Sequence, residues 1–313
     1  MITPASALLY IRTFIRLGRF HFLVGGFVLH SLGVAAALYD GAALDICALA
    51  WGQLAVTATQ LMTHFANEYF DLEADRANHT PTRWSGGSRV LPDGHLAPKT
   101  ALITARILAL VAVVAALVLA LVVRPGLVTL ALLLLCIVLA WEYSAPPLQL
   151  HSRGLGELTT ALLVPGLTPL IGYYLQSGRL SSLPILAAFP LCCLQFAMLL
   201  AIEFPDEAGD SATGKRTLVV RLGMARAARL WLLGLLAAYA SLPLVIWAGL
   251  PQPVGIAVLC GLPFALWQAW RIGRGAWANP AQWNSLALWS IVLLVGTAAA
   301  ELAAFIGLVG RVF

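Results

Sequence analysis

The sequence predicts an all-α membrane protein, and three observations carry that prediction. The 313 residues are 60% hydrophobic and only 11% charged, where a soluble domain carries about 25% charge. The mean hydropathy is +0.87. Runs such as 101–123 and 126–141 are almost uninterrupted apolar sequence, long enough for a hydrocarbon core that takes roughly 20 helical residues to cross. Neither run alternates, as the strands of an outer-membrane barrel would.

In chain order the runs place transmembrane helices near 20–39, 45–68, 100–122, 126–144, 156–176, 182–203, 225–248, 252–270 and 281–309. Periodicity says little within them, because a lipid-buried helix is apolar all round. No linker, short repeat or low-complexity stretch divides the chain, so residues 1–313 read as one polytopic domain. Met1 to Arg19 could open a signal peptide with a cleavage site at Ala35, Ala36 and Ala37; an uncleaved first span is the better expectation for a multi-span chain. The cysteines (Cys47, Cys136, Cys192, Cys193 and Cys260) lie in or near spans, form no CxxC pair, and read as small apolar packing residues.

With nine crossings, the N-terminus and the loops after spans 2, 4, 6 and 8 share one side. That side carries Arg12, Arg16, Arg19, Arg76, Arg83, Arg89, Lys99, Arg153, Lys215, Arg216, Arg221, Arg226, Arg229, Arg271 and Arg274; the other carries Arg124, Arg179 and Arg311. Fifteen against three marks the first side as cytoplasmic in a cell (inner) membrane, with the C-terminus opposite. The pI of about 9.1 follows from this bias and suits an anionic leaflet, not nucleic acid. The long loops, 69–99, 145–155 and 204–224, all fall on the cytoplasmic side.

Acids are scarce, 14 in all, yet NEYFDLEAD (67–75) places four at the end of span 2. Asn67, Asp71 and Asp75 recur at i, i+4, i+8 and stack on one helix face, with His64 and Glu68 close by. Span 6 ends in EFPDEAGDSATGKRT (203–217), where Asp206 and Asp210 are again four apart, Glu203 and Glu207 flank them, and Lys215 and Arg216 follow. One such cluster could be a solvated helix end. Two on the same membrane face could jointly hold divalent ions, and oxygen-only ligands suit Mg²⁺ completed by phosphate oxygens. Carboxylates at membrane depth are costly and usually functional.

Between the clusters, WEYSAPPLQLHSRGLGE (141–157) offers Tyr143 and Arg153, either as cavity groups or as an interfacial anchor and a topological charge. RWSGGSRVLPDG (83–94) could fold over phosphates or be a plain flexible loop. His64, His79, His95 and His151 lack metal-ligand spacing. A cation-coupled transporter or a non-catalytic scaffold would be the rival classes. Transporters place ion sites near the midplane in repeated halves, which this sequence lacks.

NEYFDLEAD, YSAPPLQLHSRGLGE and PDEAGDSATGKRTLVVRLG together resemble the UbiA superfamily of intramembrane prenyltransferases, over roughly residues 20–310. Within it the three segments look most like the 1,4-dihydroxy-2-naphthoate polyprenyltransferases of the menaquinone branch. The chain departs from that branch at Ile202, Glu203, Phe204 and Pro205, where an Asn-rich lead-in and an Arg are usual, and at SGGSR. The resemblance implies nine helices around a central cavity capped by cytoplasmic loops. It implies a polyprenyl diphosphate donor, an aromatic acceptor and two Mg²⁺ ions. Carried onto this sequence, Asn67, Asp71, Asp75, Asp206 and Asp210 would hold metal and Lys215, Arg153 and Arg83 would neutralise the diphosphate. Tyr143 would face the allylic cation, and His64 or Glu68 would orient or deprotonate the acceptor. 4-Hydroxybenzoate, homogentisate, haem, chlorophyllide and a glycerol phosphate lipid remain alternative acceptors, and no obligate protein partner is expected.

Overall fold

A computed structural model describes residues 4–310, and contains no strand among them. Arg311 of the charge count lies outside the described residues. The chain begins with α1 (Pro4–Leu17), then turns at Gly18 and Arg19 into α2 (Leu23–Tyr39). α3 (Ile46–Phe70) follows, opened by Asp45, whose side chain accepts the Ala48 N–H, and α4 (Leu72–Ala77) continues from it. After the loop 78–97 come α5 (Pro98–Val118), α6 (Leu127–Glu142), α7 (Gly156–Ala161) and α8 (Thr168–Ser177), with a π-helical turn joining the last two. α9 (Leu183–Glu203) runs into the short α10 (Glu207–Ala212) and α11 (Leu218–Leu222). α12 (Met224–Ala240), α13 (Leu242–Trp247), α14 (Gln252–Leu259), α15 (Leu262–Gly273) and α16 (Pro280–Val309) complete the bundle.

Helices overlie all nine expected regions, but the crossings are not equally clear. Six helical stretches among the described residues are long and apolar enough to span a bilayer, or seven if the α14–α15 pair, bent by 40°, counts as one. α6, at 16 residues, is a shorter apolar helix. α3 has the length, at 25 residues, but carries Gln53, Gln60, His64, Asn67 and Glu68. Those polar groups are the ones turned toward the interior, so the helix that carries most of the chemistry is the least legible as a membrane helix.

Large apolar side chains cover the outside: Leu127 and Trp247 are each 84% exposed. Inside, α2, α9, α12 and α16 share one core around Trp231 and Phe305, and α3, α5, α6 and α8 share another around Met62 and Ile171. Helices in lipid are held by close packing and not by expulsion from water, and α2 shows how. Any Cβ at Gly33 would clash with the Pro169 carbonyl, so only glycine lets α2 and α8 approach this far.

Candidate active site

Three loops converge at one end of the bundle. The Arg216 N–H donates to the Ser152 carbonyl at 3.0 Å, and Asn67 Nδ2 donates to Ser144 Oγ at 3.3 Å. Asn78 Nδ2 donates to Asp206 Oδ1 at 2.6 Å, tying the first acidic motif to the second across 128 residues. Gly209 makes this junction possible. A Cβ there would stand 2.9–3.0 Å from the backbone of Ala74 and Asn78, so a larger residue would push α10 off α4.

The expected helical stacking of the first motif is present. Asp71 ends α3, yet its N–H still bonds to the Asn67 carbonyl and its own carbonyl accepts the Asp75 N–H, at 2.8 and 2.9 Å. Lys215 lies across both motifs, with Nζ 2.6 Å from Asp71 Oδ2 and 3.2 Å from Asp210 Oδ1. His151 Nε2 stands 3.1 Å from Asp71 Oδ1, while its Nδ1 faces the Tyr143 carbonyl at 2.6 Å. The rings of Tyr143 and His151 stack with centroids 5.2 Å apart.

These contacts set the charges. Burial alone would disfavour an ionised Asp71, but Lys215 and His151 outweigh it and hold that carboxyl below the usual range. At Asp75, burial, reinforced by Asp71, Glu68 and Asp206, outweighs the pull of Lys215 and pushes the carboxyl well above the usual range. Burial works against the Lys215 charge too, yet Asp71 and Asp210 keep the ammonium charged well above its ordinary pKa. Asp75 Oδ2 and Asp210 Oδ2 are buried without any hydrogen-bond partner. A buried unpaired carboxylate oxygen is expensive, and a divalent cation is the partner that would satisfy both. Among the described residues, no three His, Cys, Asp or Glu side chains form a protein-only metal cage.

Below the acids opens a cavity of about 310 Å³. Asn67, Asp71, Asp75, Asp206, Lys215, Tyr143 and His64 line it at the polar end. Val24, Leu29, Leu163, Met198, Leu294 and Val295 line it beneath. Polar head and apolar depth therefore belong to one space.

Not every expected residue reaches that space. Arg153 is exposed and donates to the Pro147 carbonyl at 3.1 Å, outside the cavity wall. Arg83 is also exposed, its guanidinium over the Trp84 ring at 5.3 Å. Glu68 is buried outside the cavity lining, where it accepts the Ser88 N–H and Oγ–H, each at 2.6 Å, and so anchors the loop 83–94. His64 lines the cavity with Nδ1 on the Gly18 carbonyl at 3.0 Å, leaving Nε2 free. His151, Asn78 and Arg19 emerge only from the fold. Arg19 lines the cavity, though in the sequence it is one topological arginine among many.

The chain matches the model of the UbiA prenyltransferase family over residues 27–292. It is 26% identical over 251 residues to 1,4-dihydroxy-2-naphthoate octaprenyltransferase of Bacillus subtilis (strain 168), covering 76% of this chain and 79% of that one. The fold matches a UbiA homolog from Archaeoglobus fulgidus bound to GPP and Mg²⁺, with TM-score 0.64 and 15% identity over 92% of this chain and 99% of that one. It also matches the apo UbiA homolog from Aeropyrum pernix K1, with TM-score 0.63 and 19% identity over 90% and 97% of the two chains. With two acidic motifs meeting over an apolar cavity and a family match across most of its length, the chain belongs to the UbiA prenyltransferase family and is a prenyl-transferring enzyme.

Proposed function

We propose that the protein transfers a polyprenyl group from an isoprenoid diphosphate to an aromatic acceptor, with Mg²⁺, and that the acceptor is 1,4-dihydroxy-2-naphthoate in quinone biosynthesis. The observation that carries the reading is the junction of Asp71, Asp75 and Asp206 at the mouth of the apolar cavity, with Asp210 joined to Asp71 behind the wall through Lys215. The naphthoate acceptor is favoured by the Bacillus subtilis relative and by the motif resemblance. We read the chain as nine crossings with this end toward the cytoplasm, supported by the charge asymmetry.

Asn67, Asp71, Asp75, Asp206 and Asp210 would hold Mg²⁺, whose charge offsets that of the departing diphosphate. Lys215 is already placed to add a direct cation, and Arg19 stands at the same wall. Trp84, Ser85, Gly86 and Gly87 line the cavity and would help to exclude water, which an allylic cation requires. Tyr143 presents its ring to that space and would stabilise the cation through its π face. His64 would accept the acceptor's hydroxyl proton through its free Nε2. The apolar walls hold the tail.

The test is product analysis in membranes containing the protein, supplied with Mg²⁺, geranylgeranyl diphosphate and competing 1,4-dihydroxy-2-naphthoate and 4-hydroxybenzoate. A prenylated, decarboxylated naphthoquinol is expected, lost on chelation and restored by Mg²⁺. Prenylated hydroxybenzoate instead would keep the chemistry and overturn the acceptor.

A further inference from the structure

α1 does work that the transfer reaction does not explain. Phe14 and Leu17 pack it inward, Phe14 meeting Phe65 at 5.3 Å between ring centroids and Leu17 fully buried. Beside that contact runs an outward apolar stripe at helical spacing: Leu8, Ile11 and Ile15, each 50–53% exposed. Arg12 and Arg16 flank the stripe, and no acid precedes Asp40 in the sequence. An exposed apolar stripe with two arginines beside it and no acid near it, next to the start of a membrane span, fits an anionic lipid surface by shape and by charge.

The same helix grips the cap. Arg16 Nε donates to the Ser88 carbonyl and Arg19 Nη2 to the Trp84 carbonyl, each at 3.0 Å. Arg19 adopts a left-handed backbone (φ 49°) as the chain turns from α1 toward α2. Trp84 and Gly87 are cavity residues, and Gly87 lies against Asp75 so closely that a Cβ would clash with its carboxylate. An unbroken set of contacts therefore runs from the outward face of α1 to the acidic site.

We propose that α1 is a surface helix that beds Leu8, Ile11 and Ile15 into an anionic phospholipid interface, and that Arg16 and Arg19 transmit this anchoring to the cap loop over the cavity. Lipid charge then sets how firmly the cap is held. Hydrogen exchange of the full-length protein in nanodiscs tests this without any substrate, so the outcome is independent of the acceptor. Discs of phosphatidylcholine alone are compared with discs containing phosphatidylglycerol. Exchange in 8–19 and in 84–90 is expected to slow roughly fivefold with the anionic lipid, the worth of about one basic residue at such a surface. Arg12→Gln should remove most of that difference. Arg16→Gln should keep it in 8–15 and lose it in 84–90. If Arg16→Gln also disturbs α9, Arg16→Lys keeps the charge, loses the Nε donor and gives the same discrimination. Equal exchange in the two lipids, a cap indifferent to Arg16, or protection of α1 only in discs holding two copies would each overturn the proposal.

Discussion

The two ends of the bundle use aspartate in opposite ways. At the end away from the cavity, Asp40 pairs with Arg179 at 2.7 Å and accepts from the Tyr173 hydroxyl, in half-exposed surroundings. Asp45 caps α3, and its backbone exchanges hydrogen bonds with the Gln176 side chain at 2.8 and 3.1 Å. Arg124 closes the last turn of α8 through the carbonyls of Leu175 and Gln176. The polar groups that define this end are met by protein partners. At the cavity end, Asp75 and Asp210 each keep an oxygen buried and unmatched, and one lysine serves two aspartates. A fold that pairs its aspartates at one end leaves them short at the other.

Four substitutions break or sharpen that contrast. The largest effect falls on Lys215→Met, which strands Asp71 and Asp210 without their cation and should cost about 3–5 kcal/mol of stability. Thermal unfolding should show Mg²⁺ rescuing this variant more than the parent, and equal shifts in both would argue that the cation does not bind there. Asp71→Asn keeps the volume but removes the charge; prenyl transfer should fall about 10²–10³-fold with unchanged yield of folded protein. Full activity would remove Asp71 from the site. Gly209→Val should cost about 1–3 kcal/mol by forcing α10 from α4, and a distance probe between the two helices should report their separation. Asp40→Ala breaks an exposed ion pair and the bond from the Tyr173 hydroxyl, so stability should change by about 1–2 kcal/mol and turnover not at all. A large loss of turnover there would mean the two ends are coupled.

Much of this was legible from residue order. Asn67, Asp71 and Asp75 stand on one face because helical spacing places them there, and Asp206 and Lys215 line the same cavity as the motif pattern suggests. Glu68 shows the limit. Its neighbours in sequence suggest an acceptor-side acid, but a residue one position round the helix points about 100° away. In the fold that direction meets Ser88, not the cavity. Arg153 and Arg83 have suitable charge, yet their side chains find a carbonyl and an indole outside the wall.

The sequence by itself determined that the chain is apolar enough for a membrane and furnished with two acidic motifs at the ends of apolar helical runs. These follow from composition and local spacing. Only the tertiary structure decided that His151 and Lys215 both serve Asp71, 80 and 144 residues away, and that Asn78 holds Asp206. The physical reason is that such pairings depend on how closely loops approach. That approach is set by packing at points such as Gly209 and Gly33, where a missing side chain lets helices touch.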